Sequence, residues 1–423
     1  MKKLIFSIAV VFLSLNSAVS QTGWQVLNSG VSVNLYGVSF INFNTGFVCG
    51  ANGTILKTIN AGLNWVQLNS SVTYQLNDIC FSDNNTWFCC GASGVIKSTN
   101  AGQNWVSVFN PGTFKICYVD NILYTITQNN LYKSSNAGLN WISILTETGF
   151  LRGLFFNNSN TGYAMGGNTG VQRKTTNGGL LWLTGGAWFP GEYTFGECHF
   201  FNSDTGCVCY SYYSGPPNYT YSYGIYKASY WGSGGSSWLN VYYSTNMGVG
   251  ALTFSGRDTG YAVGGGGSGS AYQSLIIKSI NGGSNWSPQS FSVNQVLTDV
   301  TFLNSKYGYA VGRAGTIIKT ETGGISNVTG SSNETPSGYS LSQNYPNPFN
   351  STSIIKFAVV KQGWVRIVVY DVMGGEVQTL VDEILNAGNY ETAFDGLNLP
   401  SGVYFYSLEA NGFRETKKMS LIK

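Results

Sequence analysis

The chain is poor in ionisable groups: it has a single histidine, His199, and only 10% charged residues. One imidazole builds neither a histidine-based catalytic triad nor a multi-histidine metal site. The 22 basic and 19 acidic residues leave a net charge of +3 and are scattered rather than clustered. A footprint for nucleic acid or an anionic membrane is therefore missing. No apolar run after the first twenty residues is long enough to cross ~30 Å of hydrocarbon as a helix. The eight cysteines all lie between Cys49 and Cys209, without metal-finger spacing, in apolar runs such as Phe88-Cys89-Cys90-Gly91. That pattern reads as small core residues, although Cys80 and Cys117 share a repeat position and leave a bridge between units open. No metal and no cofactor is expected.

Gly (55), Tyr (27) and Phe (24) are abundant in the 423 residues. Together they indicate many short strands joined by tight turns, an all-β chain. Lys2 and Lys3 precede an apolar run from Leu4 to Leu15, and Ala18-Val19-Ser20 follows before Gln21. This is the pattern of a cleavable signal peptide over residues 1–20 and implies export.

One pattern then recurs at a spacing of roughly 40 residues, the range of propeller blades. Its first copy runs Thr45-Gly46-Phe47-Val48-Cys49-Gly50, Gly53-Thr54-Ile55-Leu56-Lys57-Thr58 and Asn60-Ala61-Gly62-Leu63-Asn64-Trp65. A lysine before the turn returns as Lys57, Lys97, Lys133, Lys174, Lys227, Lys278 and Lys319, which counts seven units. The tryptophan after the turn returns six times, as Trp65, Trp105, Trp141, Trp182, Trp238 and Trp286, and the seventh unit ends at Gly323-Gly324 without one. An unpaired copy of that strand, Gly23-Trp24-Gln25-Val26, follows the signal peptide. The two halves complete each other if the N-terminal strand closes the last blade, so residues 22–325 are expected to form a seven-bladed β-propeller. The turns carry Asn60 and Gly62, Asn100 and Gly102, Asn136 and Gly138, Asn177 and Gly179, and Asn281 and Gly283. Asn there bonds nearby backbone, Gly tolerates positive φ, and the tryptophan fills volume between blades.

Thr58-x-Asn60-x-Gly62-x-Asn64-Trp65 resembles the Asp-box (BNR) repeat, with Asn in place of the usual Asp. The full unit is similar to propellers related to the photosystem II assembly and stability factor family. That resemblance implies fold rather than activity, since such turns are structural and lie away from catalytic centres.

Residues 326–338 are polar and without periodicity and read as a linker. The segment 339–423 has strand runs and turns enough for a small β-sandwich. Tyr345-Pro346-Asn347-Pro348-Phe349-Asn350, the turn Asp371-Val372-Met373-Gly374, the element Leu399-Pro400-x-Gly402-x-Tyr404 and the terminal strand with Lys417 and Lys418 follow in order. This closely resembles the type A C-terminal sorting domain of type IX secretion in the Bacteroidota. The resemblance implies passage through that machinery as partner, and a secreted or surface-displayed product. A photosystem-assembly role conflicts with it.

For chemistry, Asp78, Glu197, Asp258 and Asp299 are the carboxylates near blade strands that a glycan-active hydrolase would need in pairs. A capping or turn role explains Asp78 and Asp299 equally well. Sialidase chemistry lacks its arginine cluster, because Arg152, Arg173, Arg257 and Arg313 fall in separate blades. Blades five and six instead carry inserts between their second and third strands: Tyr210 to Tyr223, including Pro216-Pro217, and Gly265 to Gln273. Tyr212, Tyr213, Tyr219, Tyr221 and Tyr223 are the candidate aromatic platform for a glycan or protein ligand. The expectation is a non-enzymatic binding, adhesion or scaffolding module, with a glycan-active hydrolase as the alternative.

Overall fold

The computed structural model describes residues 23–167, 170–185, 192–214, 220–232, 235–267, 272–289, 291, 293–324, 329–332, 336–361, 363–385, 387–396 and 399–423. The expected signal peptide, Pro216-Pro217 and Tyr219 lie outside the described residues. The chain divides into one compact unit at 22–325 and another that includes 326–423.

Among the described residues the first unit contains seven four-stranded sheets. Blades 1 to 6 occupy 35–68, 76–109, 115–146, 151–184, 192–244 and 248–288, each an antiparallel meander. The seventh joins Leu297–Phe302, Gly308–Gly312 and Ile317–Thr320 to Gln25–Leu27 from the start of the chain, with Gln25 opposite Lys319 and Leu27 opposite Ile317. Trp24, just before that strand, is 3% exposed. First strands of successive blades are neighbours, and the last lies beside the first, Leu35–Phe40, so the sheets close into a ring.

Each recurring piece of the repeat has a contact that explains it. A Cβ on Gly46, which opens the second strand of blade 1, would lie 2.5 Å from the Phe40 ring, and Gly162, Gly206, Gly260 and Gly308 sit equally close under Phe156, Phe200, Phe254 and Phe302. The aromatic after that glycine then stacks on the phenylalanine of the next blade: Tyr309 on Phe40 at 3.8 Å, Tyr163 on Phe200 at 3.5 Å and Tyr261 on Phe302 at 3.6 Å; in blade 3, where Leu123 stands in the glycine's place, Tyr124 stacks on Phe156 at 3.6 Å in the same way. In the turns, Gly62 N–H donates to Thr58 Oγ1 (2.9 Å) and Asn64 N–H to Asn60 Oδ1 (3.0 Å). The same pair of bonds recurs at Ser98/Asn100, Ser134/Asn136, Thr175/Asn177 and Ser279/Asn281.

The repeated lysine has a role that its spacing did not disclose: it latches one blade to the next. Lys57, Lys97, Lys133 and Lys278 donate to the carbonyls of Ala101, Ala137, Gly178 and Gly323, each in the turn of the following blade. Lys174 reaches Trp231 O and Lys227 reaches Ser284 Oγ in the same sense. Blade 5 has no Asn-Gly turn. Its third and fourth strands lengthen to Tyr221–Gly232 and Gly235–Ser244, and buried Trp231 supplies the carbonyl instead. A partly buried charge-assisted bond of this kind contributes about 1.5–3 kcal/mol, so the latches help to hold a ring whose blades share no backbone ladder.

The second unit is a sandwich of two four-stranded sheets that share one core, including Ile355, Phe357, Val369, Phe394, Tyr406 and Met419. Part of the stretch read as linker, Thr329–Ser332, is a strand paired with Gly388–Asp395, because the open edge of that sheet offers backbone partners to any extended segment. The sorting motif is built into the core. Asn344 is 2% exposed; its N–H donates to Tyr406 Oη (2.8 Å), and its Nδ2 donates to Pro346 O and Ser353 Oγ. Asn347 Oδ1 accepts from Ser420 N, Phe349 is buried, and its N–H and C=O pair with Ser420 and Ile422. Tyr404 Oη donates to Pro400 O, Leu399 packs at the core edge, and Lys417 pairs with Glu415 at 3.0 Å. Tyr345 is 81% exposed. The terminal strand Phe413–Leu421, which carries Lys418, is a sheet edge.

Candidate functional site: the axial channel

Six of the seven first strands break register against their second strand at one place, next to Gly37, Asp78, Gly153, Glu197, Ala251 and Asp299. A β-bulge re-aims the side chain it carries. With Lys115 at the matching place in blade 3, opposite Ile126, these seven residues form one layer around the axis.

The layer is a charge plug. Lys115 reaches past blade 4 to Glu197 Oε2 at 2.5 Å in blade 5 and lies 3.9 Å from Asp78 Oδ2 in blade 2. Room for that crossing comes from Gly153, where a Cβ would meet Gly196 O at 1.9 Å. The aspartates also clamp neighbouring blades. Asp78 accepts from Ile79 N (2.8 Å) and, across the interface, Ile116 N (3.1 Å); Asp299 accepts from Val300 N (2.8 Å) and Val38 N (2.8 Å). They lie inside the first strands, not ahead of them, so the expected capping role becomes a clamp from blade to blade.

Burial works against the Lys115 ammonium, but Asp78, Glu197 and Asp299 overcome it and raise its pKa. Burial raises Glu197 despite the pull of Lys115, and raises Asp299 to about 8, with Glu197 and Asp78 adding to the effect.

Above this floor, on the face that carries the inserts, lies a vestibule of about 420 Å³. Its walls include Arg152, Thr194, Ser211, Tyr223 and the glycines 196, 250, 264 and 265. Gly196 and Gly250 are open: an added Cβ would find nothing nearer than 4.0 and 3.7 Å. The Arg152 guanidinium lies over the Phe114 ring at 4.6 Å. Arg152 and Arg173 were expected in separate blades but share blade 4, on its first and third strands; they still build no anion site together, because Arg173 is paired with Glu147.

The structure divides the tyrosines proposed from sequence. Tyr213 stands opposite Tyr221 with ring centroids 4.8 Å apart, and Tyr223, opposite Ser211, shares their side of the sheet. Tyr212 falls on the other side and stacks on Tyr193 at 4.5 Å against the blade 4–5 core. Of the four carboxylates, Asp78, Glu197 and Asp299 meet at the plug, while exposed Asp258 is in the loop whose carbonyl accepts from Gly282, on the opposite face. Lys115 was missed because it lies in the blade with the weakest repeat signal. All eight cysteines are free thiols, Cys80 and Cys117 among them. Among the described residues no cluster of His, Cys, Asp and Glu is arranged for a metal, and no helix is long and apolar enough to cross a membrane.

Ring and tail together define an exported β-propeller. Residues 343–423 match the family of secretion system C-terminal sorting domains, and residues 16–189 match that of photosynthesis system II assembly factor YCF48. Among solved structures, YCF48 from Cyanidioschyzon merolae is similar at 16% identity and TM-score 0.55, over 70% of this chain and 98% of that one. YCF48 bound to D1 peptide is similar at 18% and 0.54, over 72% and 99%. The WD40 propeller domain of Doa1 is similar at 8% and 0.52, over 71% and 97%. No curated protein matches the chain. The protein thus joins a propeller with YCF48-like repeats to a type IX sorting domain, which sends it to the cell surface or beyond.

Proposed function

We propose that the propeller is a binding module that receives its ligand in the vestibule of the axial channel, the ligand being a segment of another exported protein. The observation that carries this is the plugged floor beneath an open, glycine-lined cup: a ligand enters but does not pass. Exposed backbone at Gly196 and Gly250 lets an extended chain approach closely, and Arg152 and Tyr223 supply one cationic and one aromatic contact. A YCF48 structure similar in fold carries a peptide, which is consistent with this use of the fold. The competing reading, a glycan-active hydrolase, draws on the meeting of Asp78 and Glu197. Both carboxylates, however, engage the same ammonium, Glu197 directly at 2.5 Å, and Asp78 also holds two backbone N–H groups, so neither is free to act as acid or base.

The open glycines provide the test. Gly250→Phe adds a side chain to the vestibule wall where a Cβ sits at ordinary contact distance, 3.7 Å or more from the nearest carbonyl oxygens, so the melting temperature should move by less than about 2 °C while capture of surface proteins from the producing cell falls at least about tenfold. Unchanged capture by a folded Gly250→Phe protein would reject the vestibule as the site. Turnover of a polysaccharide that disappears in Glu197→Gln would restore the hydrolase reading.

A further inference from the structure

The opposite end of the ring holds a second pocket that the vestibule does not explain. It has a volume of about 430 Å³ where the first strands of blades 4, 5 and 6 end, within the size range of small-molecule sites. At the strand position opposite the second-strand residues Phe47, Phe88, Tyr124, Tyr261 and Tyr309, the other blades carry Ser39, Cys80, Cys117, Thr253 and Thr301. Blades 4 and 5 carry Phe155 and His199 there instead. Their rings lie 4.6 Å apart, and His199 is also 5.8 Å from Phe201 and 5.3 Å from Phe254. Burial pushes the imidazole down to about 4, so at neutral pH it is one more uncharged ring.

Among the lining residues Arg257 is the one that carries charge, and exposed Asp258 follows it in the chain without lining the pocket. Arg257 lines the pocket and finds no carboxylate among the described residues, and the lining contains no acid. Nearby Asp204 is already held by Lys174 and Ser203. Asn202 spends its Oδ1 on the backbone of Asp204 and Thr205, and its Nδ2 has no acceptor among the described residues. An aromatic box would by itself attract a cation, but the guanidinium beside it repels one. Together they suit a ring with an apolar face and an anionic substituent: the face packs on the aromatics, the carboxylate takes the guanidinium, and hydroxyls meet Asn202.

We propose that the pocket formed by Phe155, His199, Phe201, Phe254 and Arg257 binds a pyranose bearing a carboxylate, a hexuronate unit of an acidic polysaccharide. The site is independent of the vestibule and would tether the exported propeller to acidic glycan while the other face holds its ligand.

The test is titration of the full mature chain, followed by saturation-transfer NMR, with methyl β-glucuronide and methyl β-glucoside as probes. Glucuronide should bind at least about tenfold more tightly, and the preference should shrink with added salt. Arg257→Ala, a change at an exposed side chain, should make the two sugars equal. Phe201→Ala should weaken both by about fivefold or more, and Gly250→Phe should change neither. Absence of binding by either sugar at 10 mM (~millimolar affinities being the floor for one small ring), equal binding of both by the wild type, or a preference that survives Arg257→Ala would each overturn the proposal. Should Phe201→Ala fail to fold, the Arg257→Ala comparison decides alone.

Discussion

Lys115→Met should be the most damaging single substitution in the propeller. It keeps the stem but removes the one cation shared by Asp78, Glu197 and Asp299. Lys115 and Glu197 retain only 19% and 21% side-chain exposure, so water replaces little of the lost attraction. Breaking a buried pair by removing one partner costs about 3–5 kcal/mol, which for a domain of this size is a fall on the order of 10 °C in melting temperature. The loss should depend on pH with a definite sign. Asp299 and Glu197 have folded pKa values raised above their unfolded ones, so the folded state binds more protons between those values. Stability from these groups is therefore complete below about pH 4 and declines as pH rises through the folded value, about 8 for Asp299. Without Lys115 that decline steepens. The deficit of Lys115→Met should be largest near pH 8 and should narrow by half or more at pH 5, as measured by calorimetry on both proteins. A deficit independent of pH would mean that the lysine acts through packing alone.

That plug also shows where sequence reasoning stops. The ring was legible because most blades repeat the same requirements, a glycine like Gly46 under Phe40 and an Asn-Gly turn like that at Asn60, and all seven carry the lysine of Lys57. Repetition turns weak local signals into a count, and the unmatched Trp24 strand tells where the ring closes. The channel layer carries no such signal, because its seven positions hold Gly37, Asp78, Lys115, Gly153, Glu197, Ala251 and Asp299. Function-bearing positions differ from blade to blade by nature. Bulges next to them also upset the alternation by which facing is inferred, so Asp78 and Asp299 read as caps when they are clamps. Period-two alternation did hold within the blade 5 hairpin, and there the adjacency of Tyr212 and Tyr213 already implied opposite faces. The turn-face pocket was less visible still. Phe155 and His199 look like ordinary strand residues until the serine, cysteines and threonines at the equivalent positions are set beside them.

Deleting residues 339–423 should abolish appearance at the cell surface or in the medium while leaving the ring intact. The propeller is a unit of its own, with a core built from clusters that contain no residue of the tail. Its blades close on each other through the N-terminal strand rather than through anything downstream. The truncated chain should therefore accumulate in the periplasm, folded, with a melting transition within about 2 °C of the propeller transition of the full chain. A narrower change separates the tail's fold from its recognition. Asn344→Ala removes the donors that tie the opening of the motif to Pro346 and Ser353 in the interior, and an orphaned buried acceptor costs about 1–3 kcal/mol. Export should fall in step with unfolding of the sandwich. Tyr345→Ala, at a side chain that is largely exposed, should leave the sandwich transition unchanged; loss of surface protein in that variant would mark Tyr345 as a contact to the machinery, and normal export would place the contact elsewhere on the tail. Surface display of the 339–423 deletion at wild-type level, by fractionation and protease accessibility, would refute the assignment of export to this domain.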